Sequence, residues 1–255
     1  MTMGNPQTSR TRAIVLTTQR TGSGFLIGCL GSHPQIESAD EILSGDPDVP
    51  EEVPAPEYRG PFKKVVKLSR LVRAGAWRPG HRMDQFYGGG TAQVRVFKAM
   101  YNDLANPFAL RYLQRQEDIR VLHLRRENLL KVYVSRLLMT KREKLHVIEP
   151  VKAVQTHVDP AEAVAYIDKA RALHARFDAR FAGHPLLPVC YEEMIDGAQL
   201  RPDVAAAVCD FLGVDRFQMK SRQVKINPES LRDMVTNYDE LAEAISRTAY
   251  KGMLA

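Results

Sequence analysis

Cysteine is scarce in this 255-residue chain. Cys29, Cys190 and Cys209 make no CxxC pair and no even-numbered set, which excludes a disulfide-built secreted domain and favours a reducing compartment. No two of the seven histidines stand within four residues of one another. The HExxH and zinc-finger spacings are therefore missing, and no metal site is expected. Apolar runs are short, none near the roughly 18 residues of an ordinary spanning helix. The polar stretch Met1 to Arg12 has no apolar centre of the kind a secretory leader carries, so the expected location is the cytoplasm. Internal repeats are also lacking, and the composition is neither collagen-like nor that of a disordered chain.

What is there is an ordinary globular balance, 44% hydrophobic and 26% charged residues. The 36 Lys and Arg against 30 Asp and Glu leave a net charge of +6. A chain of this size removes about 70–75% of its unfolded surface from water and needs no staple. A single domain over residues 1–255 is expected, with 1–11 as a flexible arm and 44–90 as a loop-rich insertion. Within that insertion, Gly45 to Tyr58 carries four prolines and five acids. Arg59 to Arg82 then carries eight Lys or Arg and no acid, followed by Gly88-Gly89-Gly90, a candidate hinge.

The first buried-strand signal is Ala13-Ile14-Val15-Leu16. Others lie at 93–98, 119–124 and 186–191, with helical patterns at 103–116, 128–143, 160–182 and 201–212. Strands alternating with helices predict a three-layer α/β fold, P-loop-like, with a parallel sheet of four or five strands.

After the first strand comes Thr17-Thr18-Gln19-Arg20-Thr21-Gly22-Ser23-Gly24-Phe25. Such a turn presents the free N–H groups of a helix N-terminus to an anion. It lacks the GK[ST] of a Walker loop, because Phe25 and Leu26 follow the last glycine. A dinucleotide turn is the alternative: Gly22 to Gly28 reads GxGxxxG, and Glu41 has the spacing of the ribose-binding acid. That alternative needs a second strand before Glu41, and Ile36-Glu37-Ser38-Ala39-Asp40 is a poor one. A third form combines a cation, hydroxyls and glycine, Arg20-Thr21-Gly22-Ser23, and suits a phosphosulfate held without metal. A tight turn without any ligand is the plain reading.

A second cationic stretch, Arg125-Arg126-Glu127, precedes a helical pattern that carries Ser135. Cations at a helix start oppose the macrodipole, and a bound dianion resolves that conflict.

These stretches resemble the sulfotransferases that use 3′-phosphoadenosine 5′-phosphosulfate (PAPS), and in particular their bacterial carbohydrate and glycolipid branch. The resemblance covers roughly residues 12 to 240. It rests on Arg20 to Phe25, on Arg126 and Ser135, on Lys98-Ala99-Met100-Tyr101, and on Tyr191-Glu192-Glu193-Met194 followed by Phe211-Leu212-Gly213. Glu41, just beyond His33-Pro34, matches the lone Glu of that branch. Gly24 departs from the family pattern, where a hydroxyl is usual.

The resemblance implies PAPS as donor cosubstrate, with Arg20, Thr21, Gly22, Ser23, Gly24 and Phe25 around its 5′ group. It implies Arg126 and Ser135, with Arg125 as the neighbouring alternative, on its 3′-phosphate, and Tyr191 in the donor site. Glu41 is then the candidate base, with Glu37 and Asp40 next in line. Arg20 and Lys98 are candidates for the leaving oxygen. Each has a plainer role: Phe25 as core, Lys98 as a structural ion pair, Glu41 as a solvated acid.

The acceptor is expected to be a small hydroxyl compound or glycolipid, facing residues 44–90. The basic run 59–82 suits an anionic acceptor or peripheral membrane contact, and equally a solvated face. Nucleic acid is not expected, because no aromatic-interleaved groove accompanies the cations. A non-catalytic binder of PAPS or of its product PAP shares the nucleotide residues and lacks a working base. Homo-oligomerisation is left open.

Overall fold

A computed structural model describes residues 10–43, 79–144, 155–222 and 230–254. The acidic loop 45–58, most of the basic run 59–82 and most of the arm 1–11 lie outside the described residues.

The chain opens with β1 (Thr11–Thr17), whose Ala13 to Leu16 are fully buried. Its run of apolar residues without alternation reflects burial on both faces. Ala13 and Val15 belong to one apolar cluster and Ile14 and Leu16 to another, so the strand forms the floor of both layers. Next come α1 (Ser23–Leu30) and β2 (Ile36–Ala39). After the undescribed segment follow α2 (Pro79–Gly88), β3 (Val94–Met100), α3 (Pro107–Gln114) and β4 (Arg120–Arg125). Helices α4 (Leu129–Lys144) and α5 (Pro160–Arg180) lead to β5 (Leu186–Cys190) and the one-turn α6 (Tyr191–Met194). A two-residue hairpin pair precedes α7 (Pro202–Leu212), and α8 (Leu231–Met234) and α9 (Tyr238–Ser246) are followed by a short 3-10 turn, Lys251–Leu254.

Among the described residues, β1 to β5 form a parallel sheet in the order β2-β3-β1-β4-β5. One face packs on α1 and α7, the other on α2, α3 and the end of α5. A third cluster joins α4, the first half of α5, α8 and α9. Full burial of side chains such as Phe97, Leu26 and Leu122 contributes about 1.5–3 kcal/mol each.

One expectation changes. Residues 36–39 do form a strand, although their sequence is a poor one. Ile36 enters the core, Glu37 pairs with Arg95 of β3, and Ser38 donates to the Ile27 carbonyl at 3.1 Å, so tertiary pairing overrides weak propensity. Of the glycines at 88–90, a Cβ on Gly88 would meet nothing within 4 Å, while the next two are packed. A Cβ on Gly89 would meet the Arg95 guanidinium and one on Gly90, at φ +60°, the Glu37 carboxylate.

The strand order also bears on the dinucleotide alternative. In that fold the second strand lies beside the first. Here β3 stands between them, which moves the acid after β2 a full strand spacing from the turn. The order reverses at β1, with β3 on one side and β4 on the other. The crevice beyond the carboxyl ends of β1 and β4 is where such sheets bind ligands.

Candidate functional site

The β1–α1 turn is fixed from below. Thr17 and Thr21 are fully buried, with hydroxyl oxygens 2.6 Å apart. Thr17 donates to the Leu124 carbonyl of β4 at 3.0 Å, and Thr21 to the Thr18 carbonyl at 2.8 Å. Arg20 adopts φ +64° and Gly22 φ +81°. For the arginine this left-handed conformation costs about 1–2 kcal/mol, and such strain persists only where surroundings impose it. At Gly22 a Cβ would collide with the Tyr191 ring, so close approach and backbone angle both demand glycine.

Helix α1 starts with no side-chain cap and no acid in its first turn. Its first N–H groups have no intrahelical acceptors and carry the positive end of the helix dipole. Ser23 and Gly24 lie in this turn. Phe25 takes its plainer role: its ring is buried in the α1–α7 cluster, and it offers the turn a backbone N–H.

A second group assembles beside the turn. The Arg20 Nε donates to the Ser135 Oγ of α4 at 2.9 Å, and its Nη1 lies 3.6 Å from the Met139 sulfur. Arg126 Nη1 donates to the Arg20 carbonyl at 3.4 Å, and its guanidinium lies over the Tyr191 ring at 4.5 Å. Its Nε is buried without a hydrogen-bond partner, 3.6 Å from Glu192 Oε1. Arg20, Arg126, Ser135 and Tyr191 are thus brought together. The Arg20 side chain reaches α4 here rather than the α1 N-terminus.

Arg125 does not join them. It pairs with Asp178 of α5 and donates to His123 Nδ1 at 3.0 Å. His123 Nε2 meets the Tyr101 hydroxyl, and Tyr101 stacks on Phe177 at 4.1 Å. Burial, aided by the nearby Arg125 charge, lowers His123 to about 4, so the ring is neutral. Of the two arginines, Arg126 is the one beside Arg20 and Ser135.

A third group sits where β2 and β3 end. Lys98 Nζ, nearly buried, pairs with Asp40 and, at 2.8 Å, with Glu41 Oε1. Burial works against its ammonium, but the two carboxylates outweigh it and raise its pKa. Glu37 is absent from this group because Arg95 holds it on the opposite face. Asp103, unmarked in the sequence, accepts from Met100 N–H at 3.1 Å, and burial pushes its carboxyl up to about 6. Glu192 stands in the Tyr191–Met194 stretch of the resemblance but has no site role in the sequence reading.

Among the described residues no group of three or more His, Cys, Asp or Glu is placed to hold a metal ion, and no helix is long and apolar enough to cross a membrane.

No family model matches the chain, and no curated protein matches it in sequence. A solved structure, a sulfotransferase from Alicyclobacillus acidocaldarius, is similar over 96% of this chain and 96% of its own, with 18% identity and a TM-score of 0.50. At this identity the likeness is one of fold: the chain has a sulfotransferase fold, α/β with a five-stranded parallel sheet.

Proposed function

We propose that this chain transfers a sulfuryl group from PAPS to a hydroxyl of a carbohydrate, glycolipid or other small acceptor. The observation that carries this reading is the convergence of Arg20, Arg126 and Ser135 beside an uncapped α1 N-terminus, at the crevice where the strand order reverses. Two anion-binding places side by side suit a nucleotide with a phosphate at each end. The cradle fits such a ligand: Gly22 keeps the turn open against Tyr191, and the buried Arg126 Nε lacks a hydrogen-bond acceptor.

Sulfuryl transfer is an in-line displacement that depends on positioning and charge stabilisation. The acceptor oxygen bonds to sulfur as the sulfur–oxygen bond to the 5′-phosphate breaks, and PAP leaves. In this assignment the N–H groups from Ser23 to Phe25, with the Ser23 hydroxyl, hold the 5′ end. Arg126, Ser135 and Arg20 hold the 3′-phosphate, and Tyr191 holds Arg126. Glu41 takes the acceptor proton, oriented by Lys98, whose ammonium also serves the leaving oxygen. No metal is needed for these roles, because the chain supplies its own cations.

The test is titration with PAP and with adenosine 5′-phosphate (AMP), followed by turnover of labelled PAPS on carbohydrate, lipid and phenol acceptors. Arg126→Ala is expected to weaken PAP by about 10- to 100-fold, the scale of a charge-assisted contact, and AMP far less. Equal losses for both nucleotides remove the assignment of the 3′-phosphate.

A further inference from the structure

Two arginines stand at the end of β4 and in the turn before α4, and the anion that faces Arg126 is already in the chain. Glu192, in the first turn of α6, places both carboxylate oxygens on the β4–α4 turn. Its Oε2 accepts from Glu127 N–H at 3.1 Å and its Oε1 from Asn128 N–H at 3.2 Å. The Cys190 thiol adds a contact to Oε2 at 3.4 Å, and burial pushes that thiol up to about 11, keeping it a donor. The Asn128 side chain accepts from Lys131 N–H at 2.9 Å. No acid lies in the first turn of α4 itself. Glu192 therefore does from a distant element what an N-terminal acid does locally, and it offsets the charge of Arg126, while Arg125 is paired with Asp178.

We propose that Glu192 is a specificity-determining residue that tempers binding of a 3′-phosphate. This inference rests on the proposed function. The carboxylate takes the Glu127 and Asn128 N–H groups in the turn before α4, beside Arg126, and Nε of Arg126 faces it at 3.6 Å. A phosphate beside this turn then meets side-chain donors, among them the Arg126 edge toward Arg20. It also meets the unit negative charge of Glu192 across the Arg126 guanidinium. Binding is then set by a contest between an internal carboxylate and an external dianion for one cation, which favours groups of double charge over weaker anions.

Two variants separate charge from capping. Glu192→Gln removes the charge and keeps one acceptor oxygen. Glu192→Asp keeps the charge on a shorter arm that cannot span both N–H groups. Titration with PAP and AMP, with a thermal melt of each protein, reads the result. Glu192→Gln is expected to tighten PAP by about five- to thirtyfold, as loss of one like charge near a dianion implies, with AMP changed less than about twofold. Glu192→Asp is expected to lower the melting temperature without tightening PAP. A wild-type preference for PAP over AMP that is unchanged in Glu192→Gln overturns this inference alone. No wild-type preference for PAP overturns the functional reading and this inference with it.

Discussion

A single buried ammonium, Lys98, holds two carboxylates, Asp40 and Glu41, where β2 and β3 end. Glu41→Gln keeps the shape and an acceptor for Lys98 but cannot take a proton. Loss of a general base costs about 10²- to 10⁴-fold, so kcat is expected to fall by that much while PAP affinity holds, a loss confined to the transition state. Near wild-type turnover moves the base to Asp40 or to Asp103. Asp103 carries its own prediction, because its carboxyl is raised to about 6 by burial. The folded chain binds that proton more tightly than the unfolded one, so this group's contribution to stability falls as pH rises through about 4 to 6. Asp103→Asn keeps an oxygen for Met100 N–H and removes the buried charge. It is expected to stabilise the fold by about 1–3 kcal/mol at pH 7.5 and to leave it unchanged near pH 4, as thermal melts at the two values will show. An equal effect at both excludes the buried charge as the cause. At this scale the sequence marked Glu41 and Lys98 but not Asp103 or Glu192. The roles of the latter two depend on burial and on partners far away in the chain, which no local pattern carries.

Between residues and whole molecule, the elements differed in how plainly they could be read. Strand β1 shows a continuous apolar run because both its faces are buried, and α1 follows a turn whose glycine answers a positive φ and the ring of Tyr191. Strand β2 was hidden. It has one buried apolar residue, and its polar positions are satisfied by Arg95 and the Ile27 carbonyl, partners the local sequence does not show. Two glycines separate the backbone part of the turn's demand from the packing part. Gly22 and Gly197 both have positive φ, but a Cβ meets Tyr191 at Gly22 and nothing within 4 Å at Gly197. Gly197→Ala is expected to cost about 1–2 kcal/mol of stability from backbone strain alone. Gly22→Ala is expected to cost more, and to weaken PAP by at least about tenfold because Tyr191 and the α1 N-terminus must shift. Melting curves and a PAP titration of both variants check this, and equal costs in the two would show that the Tyr191 contact is irrelevant.

At the scale of the whole molecule, an acid response is expected where β3, β4 and α5 meet. His123 and His174 flank Tyr101, with Arg125 and Asp178 beside them. Burial, then the Arg125 charge, lowers both imidazoles to about 4, while Asp178 works in the opposite direction. Their folded values lie below the ordinary 6.5. The unfolded chain therefore takes up protons between about 6.5 and 4 that the folded chain refuses, and stability is lost as pH falls through that window. Asp103 opposes this over its lower part, since its folded carboxyl holds a proton up to about 6. At this junction, two histidines against one carboxyl give an expected net loss on acidification. His174 is the cleaner probe, because its buried Nε2 has no hydrogen-bond partner, whereas His123 anchors Tyr101 and Arg125. His174→Gln removes one of the two titrations and leaves the β4 network in place. The wild-type melting temperature is expected to fall between pH 7 and pH 4.5, and the fall in His174→Gln to be smaller by roughly 2–4 °C, the shift that about 1 kcal/mol gives in a chain of this size. An identical fall in the two proteins would show that the acid response comes from carboxylates elsewhere, and that the buried histidines at the foot of Arg125 do not govern it.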